Sequence, residues 1–85
     1  MTTSEGIHRT MGEAADEALR AQDRFGDYAS MHEAYGVLAE EVAELFDGVR
    51  MRQTDTQRAE VIRREAIQVA AVAMRIAEQA RRVTR

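Results

Sequence analysis

The 85-residue chain contains no cysteine, no proline and no tryptophan, and only two phenylalanines and two tyrosines. Without cysteine it has neither a disulfide framework nor a thiolate zinc site. Without proline its helices can run uninterrupted, and no strand-like alternation of apolar and polar residues is present, so the sequence predicts an all-α protein. No apolar run is long enough to cross a bilayer, and the N-terminus lacks the pattern of a signal peptide. We therefore expect a cytoplasmic protein with no membrane partner.

Lysine is also absent, so every strongly basic side chain is an arginine. Fifteen acidic residues against 12 basic ones give a net charge of −3. This acidity argues against general binding to nucleic-acid phosphates. The clearest basic cluster, Arg81, Arg82 and Arg85, ends the last predicted helix, where cations stabilise the helix macrodipole without any ligand.

The N-terminal part of the chain shows the weakest pattern. Residues 1–11 contain Thr, Ser and Gly with little periodicity, which predicts a flexible tail or a short turn. A single helical domain is then expected over residues 12–85. Its first helix, at residues 12–25, is favoured by an alanine- and glutamate-rich composition, and Gly26 is suited to end it.

Two longer helices are predicted at about residues 30–52 and 55–83. Each start carries a capping-box signal, Ser30 with Glu33 and Thr54 with Gln57. Each helix also has one apolar stripe at steps of three and four residues. The first stripe is Tyr35, Leu38, Val42, Leu45 and Val49, and the second is Ile62, Ala66, Val69, Ala73, Ile76 and Ala80.

Packing these stripes against each other predicts an antiparallel helical hairpin beside the N-terminal helix. The stripes are rich in alanine, which buries little area per residue, and so short a chain cannot enclose them alone. We therefore expect a homodimer or homotetramer in which hairpins pair into a four-helix-type bundle.

Four oxygen-bearing side chains flank the stripes. Glu41 and Glu44 lie about 80° and 140° from the middle of the first stripe, and Glu65 and Gln68 about 60° and 120° from the second, all in the same sense. Side chains that are rotated in the same direction away from the facing stripes of two antiparallel helices lie on the same side of the hairpin. The four side chains are therefore expected to converge. Carboxylate and amide oxygens are the ligands of a hard cation such as Mg²⁺. The alternative is a solvated acidic flank, which any surface helix can show.

Three further residues are candidates for substrate contacts. Arg75 lies near the direction of Gln68 and Arg64 a little further round, so both are predicted to reach a polyphosphate. The alternative is that they are surface arginines paired with acids one turn away. Glu40 points away from the seam and is assigned either to the substrate site, through a partner subunit, or to the surface.

The stretch HEAYGVLAEEVAEL at residues 32–45, with REAIQVAA at residues 64–71, resembles the MazG-like all-α nucleoside triphosphate pyrophosphohydrolases, in particular their small phage-encoded members. The family pattern is a double Glu with a third Glu three residues on, and then E-x-x-D on the next helix. The resemblance covers about residues 30–80. It implies a dimeric or tetrameric helical bundle with Mg²⁺-dependent cleavage of a (d)NTP into (d)NMP and pyrophosphate. For a phage-encoded protein, the compartment would be the host cytoplasm.

By motif position, Glu41, Glu44 and Glu65 correspond to the family's metal-binding and catalytic acids. Gln68 stands where the family has Asp, and an amide can ligate a cation but brings no charge and cannot act as a base. Two alternatives to an enzyme follow. One is a non-catalytic protein that sequesters a nucleotide in the same site, and the other is a structural helical module for protein interactions.

Overall fold

The computed structural model describes residues 1–52 and 54–84 and folds them into three α-helices. α1 spans Thr3–Phe25, α2 spans Met31–Arg50 and α3 spans Asp55–Thr84. The described part of the chain contains no strand, which confirms the all-α class. The ends of α2 and α3 lie within a few residues of their predicted positions, as expected where local caps define them.

The first helix begins well before its predicted start. Thr2 and Glu5 form a capping box, in which the Glu5 N–H donates to Thr2 Oγ1 at 3.1 Å and the Thr2 N–H donates to Glu5 Oε1 at 3.4 Å. The prediction of a flexible tail over residues 1–11 is therefore wrong, because nearly all of that segment is helical. Its Thr-x-x-Glu capping signal is visible in the sequence, but Gly6 and Gly12 lower the helix propensity that follows and conceal it.

The other predicted helix ends are confirmed. Ser30 Oγ accepts from the Glu33 N–H at 3.0 Å at the start of α2. Thr54 and Gln57 exchange two hydrogen bonds, of 3.2 and 3.3 Å, at the start of α3. α1 ends at Gly26, whose φ of 71° is a conformation that glycine adopts without steric cost.

α3 lies between the other two helices and packs against both, whereas α1 and α2 do not pack on each other anywhere in the described chain. The molecule measures 45 × 28 × 20 Å, and its radius of gyration is 14.3 Å. A compact chain of this length would have about 12 Å. The three helices therefore form a single layer rather than a bundle around a closed core. The buried apolar residues are mostly small: Ala14, Ala18, Tyr28, Ala34, Ala71 and Val72.

The seam between α2 and α3 follows the predicted stripes only in part. On α2 the line that faces α3 most closely contains Ala34, Glu41 and Gly48, which are spaced by seven and so share one side of the helix. Two members of the predicted stripe, Leu38 and Leu45, lie half-buried beside this line, and Leu38 packs against the core. Three members of the predicted stripe are instead exposed: Tyr35 by 70%, Val42 by 47% and Val49 by 46%.

The predicted stripe of α3 likewise contains both half-buried and exposed residues. Ile62, Val69 and Ile76 are half-buried, but Ala66 and Ala73 are exposed. The prediction that the two stripes meet in the hairpin is therefore wrong in part. Small side chains allow helix backbones to approach closely, and this moves the closest contact from the stripes to the line containing alanine and glycine.

Gly48 makes this approach possible, and its substitution gives a first testable prediction. A Cβ atom at Gly48 would lie 2.9 Å from Val61 Cγ1, and a valine side chain has little freedom to move away. We expect Gly48→Ala to lower the free energy of unfolding by about 1 kcal/mol, because the overlap outweighs alanine's better helix propensity. The measurement is urea unfolding followed by circular dichroism.

Gly12 provides the matched control, since a Cβ atom there would meet nothing within 4 Å. Gly12→Ala is expected to raise the free energy of unfolding by about 0.5–1 kcal/mol, the ordinary gain for this change inside a helix. Equal stabilisation by both substitutions would contradict a tight contact at Gly48.

Candidate metal centre

Three carboxylates converge where α2 crosses the middle of α3. Glu41 and Glu44 come from α2 and Glu65 from α3, and one oxygen atom of each lies within 4.8 Å of those of the other two. Glu41 and Glu44 are one turn apart, and the antiparallel packing of α3 places Glu65 opposite them. The structure therefore brings together the three acids that periodicity placed on one side of the hairpin.

Glu41 has the most unusual surroundings of the three. It lies on the seam between the small residues Ala34 and Gly48, and its Oε2 atom is buried with no hydrogen-bond partner. Burial raises the pKa of the Glu41 carboxyl, and the negative charges of Glu44 and Glu65 raise it further. The nearby Glu44 carboxylate could accept a hydrogen bond only from a protonated Glu41, and this also favours a raised pKa for Glu41.

The donor chemistry of the cluster fits a hard divalent cation. A buried carboxylate oxygen without a partner is costly in free energy, and two more carboxylates beside it increase the cost. A divalent cation would offset these charges with oxygen ligands of the kind it prefers. Glu44 is exposed while Glu41 and Glu65 are half-buried, so the cluster opens to solvent on the Glu44 side.

Gln68, the predicted fourth ligand, lies beside Glu17 of α1. The pKa of the Glu17 carboxyl is lowered mainly by a hydrogen bond from Arg20 and further by the neighbouring Gln68 amide. Sequence periodicity placed Gln68 on the correct side of the hairpin, but it could not show that α1 packs against that side. The three carboxylates are the ligands that the geometry brings together, and the Gln68 amide oxygen as a fourth ligand stays a prediction.

Arg75, predicted to bind phosphate, is a structural residue. It is only 9% exposed. Its guanidinium donates to Gln22 Oε1 at 3.2 Å, to the Tyr28 hydroxyl at 3.0 Å and to the Gly26 carbonyl at 2.9 Å. It also lies over the Tyr28 ring, 4.5 Å from the centroid. The prediction that Arg75 contacts phosphate is therefore corrected. Its hydrogen bonds hold the α1–α2 connection against α3 and turn the guanidinium away from solvent.

The remaining predicted substrate contacts lie at the edge of the cluster. The Arg64 side chain is 58% exposed, and its Nε atom is 3.8 Å from Glu65 Oε1. Glu40 is exposed, and its charge makes a small contribution to the raised pKa of Glu41. Both positions are compatible with substrate contact, and neither residue has a structural role comparable to that of Arg75.

Sequence reasoning missed the contacts that hold the α1–α2 connection. Gln79 accepts from the Tyr28 N–H and donates to the Tyr28 carbonyl, both at 2.9 Å. Arg82, predicted only as a helix-end cation, forms two hydrogen bonds of 2.8 and 3.0 Å with Asp27. The pKa of the Asp27 carboxyl is lowered mainly by Arg82. Arg81 lies 3.3 Å from Glu78, and Arg85 is outside the described residues.

Each helix within residues 1–52 and 54–84 has too little continuous apolar length to cross a bilayer. No protein-family model, curated protein or solved structure matches the chain.

Proposed function

We propose that the protein binds Mg²⁺ through Glu41, Glu44 and Glu65 and is a nucleoside triphosphate pyrophosphohydrolase of the MazG-like type. One observation carries the proposal: three carboxylate oxygens lie within 4.8 Å of one another, and a buried Glu41 oxygen beside them has no hydrogen-bond partner. The resemblance of both acidic motifs to that family supplies the reaction, cleavage of a (d)NTP into (d)NMP and pyrophosphate.

The three acids have different places in the proposed site. Glu41 and Glu65 hold the ion at the seam, and Glu44 holds it from the solvent side, where a phosphate chain can approach. Mg²⁺ held by these three acids would supply positive charge that offsets the charge of the phosphate oxygens. Arg64 is positioned beside Glu65 to contact a phosphate oxygen with its exposed guanidinium.

The direct test is incubation of the purified protein with each (d)NTP and Mg²⁺, with products separated by ion-exchange chromatography. We expect NMP and pyrophosphate from the natural protein and at least a 100-fold lower rate from Glu41→Gln, since the seam ligand is lost. Release of orthophosphate instead of pyrophosphate would contradict the proposed reaction. Intact nucleotides throughout would exclude catalysis.

A second function, nucleotide sequestration without turnover, is favoured by two observations. Gln68 stands where the family pattern has its fourth acid, so the site has one negative charge fewer than that pattern. Arg75, one of the two arginines predicted to contact phosphate, is buried in structural hydrogen bonds. Calorimetric titration with an NTP and Mg²⁺ separates the cases, because sequestration requires binding with no product. Binding of neither ion nor nucleotide would leave a structural module.

A further inference from the structure

A cavity between α1 and α3 is lined mostly by polar side chains. Its volume is about 450 Å³, which is within the usual range for sites that bind small organic molecules. α1 contributes Glu13 and Glu17 to its wall, and α3 contributes Ile67 and Gln68. We name this cavity the α1–α3 groove.

The α1–α3 groove adjoins the candidate metal centre along α3. Gln68 is one helical turn from Glu65, and Arg64, which directly precedes Glu65, also lines the groove. The Arg64 Nε atom is 3.8 Å from Glu65 Oε1, so this side chain lies at the boundary between the groove and the three acids. A ligand whose phosphate chain lies at the acids can therefore place its other end in the groove.

The charges of the groove suit a neutral, flat group better than a second phosphate. Three acids and three arginines line it, so its formal charges balance. Two of these arginines are paired with acids of the groove, Arg20 with Glu17 at 2.6 Å and Arg63 with Glu13 at 2.7 Å. Half-buried Ile67 adds an apolar surface among them. A planar ring can pack on this isoleucine and turn its polar edge toward the charged side chains.

Glu17 is the less exposed of the two paired acids. Its side chain is 26% exposed, compared with 40% for Glu13. The hydrogen bond from Arg20 lowers the pKa of the Glu17 carboxyl, and the neighbouring Gln68 amide lowers it further. The carboxyl is therefore ionised at neutral pH. An ionised carboxylate has only acceptors, and it can accept two parallel hydrogen bonds from a ligand with two adjacent donors.

The hydrogen-bonding groups of the groove match the edge of guanine. Guanine presents two adjacent donors, N1–H and N2–H₂, with the acceptor O6 beside them. Adenine and cytosine each place a donor next to an acceptor, and uracil and thymine place one N–H between two carbonyls. Gln68 lies beside Glu17, and its amide can donate where guanine has O6.

We propose that the α1–α3 groove binds the guanine base of a nucleotide. Glu17 accepts from N1–H and N2–H₂, Gln68 donates to O6, and Ile67 packs against the ring. The inference rests on the proposed function, because the phosphate chain of the same nucleotide lies at Glu41, Glu44 and Glu65. It makes GTP and dGTP the preferred substrates.

Nuclear magnetic resonance titrations of the full chain with GMP, IMP and AMP test the base site. A chelator is present, so the metal centre does not contribute to binding. We expect GMP to bind on the order of 10-fold more tightly than AMP, the usual effect of one hydrogen bond to a charged group. IMP should be intermediate, because it keeps N1–H but lacks the N2 amino group. GMP should also shift the methyl signals of Ile67.

A pair of variants identifies the residue responsible for the preference. Glu17→Gln should bind GMP and AMP about equally, because an amide presents a donor where the carboxylate has only acceptors. The ion pair that it loses with Arg20 is largely exposed, so the variant should fold. Asp23→Asn makes the same change of charge on α1 at an exposed residue outside the groove. It should keep the preference for GMP.

The possible outcomes separate the guanine site from the proposed enzyme. Equal affinity of the natural protein for GMP and AMP, or a preference for GMP that persists in Glu17→Gln, would overturn the guanine site. Pyrophosphate release at equal rates from GTP and ATP with Mg²⁺ would also overturn it, although the proposed reaction would stand. Glu17-dependent binding of GMP without hydrolysis of any (d)NTP would support the guanine site and contradict the enzyme.

Discussion

Arg75→Ala is expected to lower the free energy of unfolding by about 3 kcal/mol, a large part of the stability available to so small a domain. The substitution removes hydrogen bonds to Gln22, Tyr28 and Gly26 and leaves acceptors in a partly or fully buried site without their donor. It also removes the cation–π contact with the Tyr28 ring. Thermal unfolding followed by circular dichroism measures the effect as a fall in the midpoint temperature of roughly 4–8 °C per kcal/mol.

Two further variants show whether the loss depends on the geometry of Arg75. Arg75→Lys keeps the charge, but an ammonium group cannot reach three acceptors in the fixed arrangement of a guanidinium. We therefore expect lysine to restore less than half of the free energy of unfolding that Arg75→Ala loses. Arg20→Ala removes an arginine whose side chain is 68% exposed and whose partner is Glu17. Arg20→Ala should lower the free energy of unfolding by no more than about 1 kcal/mol. Similar losses from Arg20→Ala and Arg75→Ala would contradict a structural role particular to Arg75.

Glu41→Gln is expected to change stability in opposite directions without and with Mg²⁺. Without metal, glutamine removes a partly buried charge from among three carboxylates at nearly constant shape. We expect the variant to exceed the natural protein in free energy of unfolding by about 1–2 kcal/mol at pH 7. Unfolding in urea with a chelator present measures this difference.

The pH dependence of that difference follows from the raised pKa of Glu41 in the folded protein. The folded protein binds the Glu41 proton more tightly than the unfolded chain does. Protonation of Glu41 therefore contributes fully to the free energy of unfolding below the ordinary glutamate pKa, and this contribution is lost as pH rises through the raised pKa. Glutamine has no such dependence. The difference in free energy of unfolding between Glu41→Gln and the natural protein should therefore shrink as pH falls toward about 4, near the ordinary glutamate pKa.

With Mg²⁺ the order of stability should reverse. The natural protein gains the free energy of ion binding, about 2.7 kcal/mol at a concentration 100 times the dissociation constant. Glu41→Gln loses a charged ligand and should gain little. Glu40→Gln is the matched control, because Glu40 is the exposed neighbour of Glu41, and it should change stability by less than about 0.5 kcal/mol in either condition. A natural protein whose unfolding is insensitive to Mg²⁺ would contradict the metal site.

Part of the candidate site was predictable because it depends on local periodicity. Glu41 and Glu44 are one turn apart on any helix, and Glu65 meets them once the next helix returns antiparallel. The side chains of Gln68 and Arg75 were not predictable in the same way. The partners of both lie on α1 or on the connection that follows it, and helix periodicity contains no information on where a third helix packs.

The sequence by itself determined the helical class, the end of α1 at Gly26, and the starts of α2 and α3, because caps are hydrogen bonds between residues three or four positions apart. The capping signal at Thr2 was also present in the sequence, although glycines obscured it. Only the tertiary structure decided which line of α2 meets α3. Shape made that choice, since the glycine at position 48 lets the backbones approach more closely than the larger apolar side chains of the stripe allow. The same choice placed Glu41 in the seam and left Tyr35, Val42 and Val49 exposed.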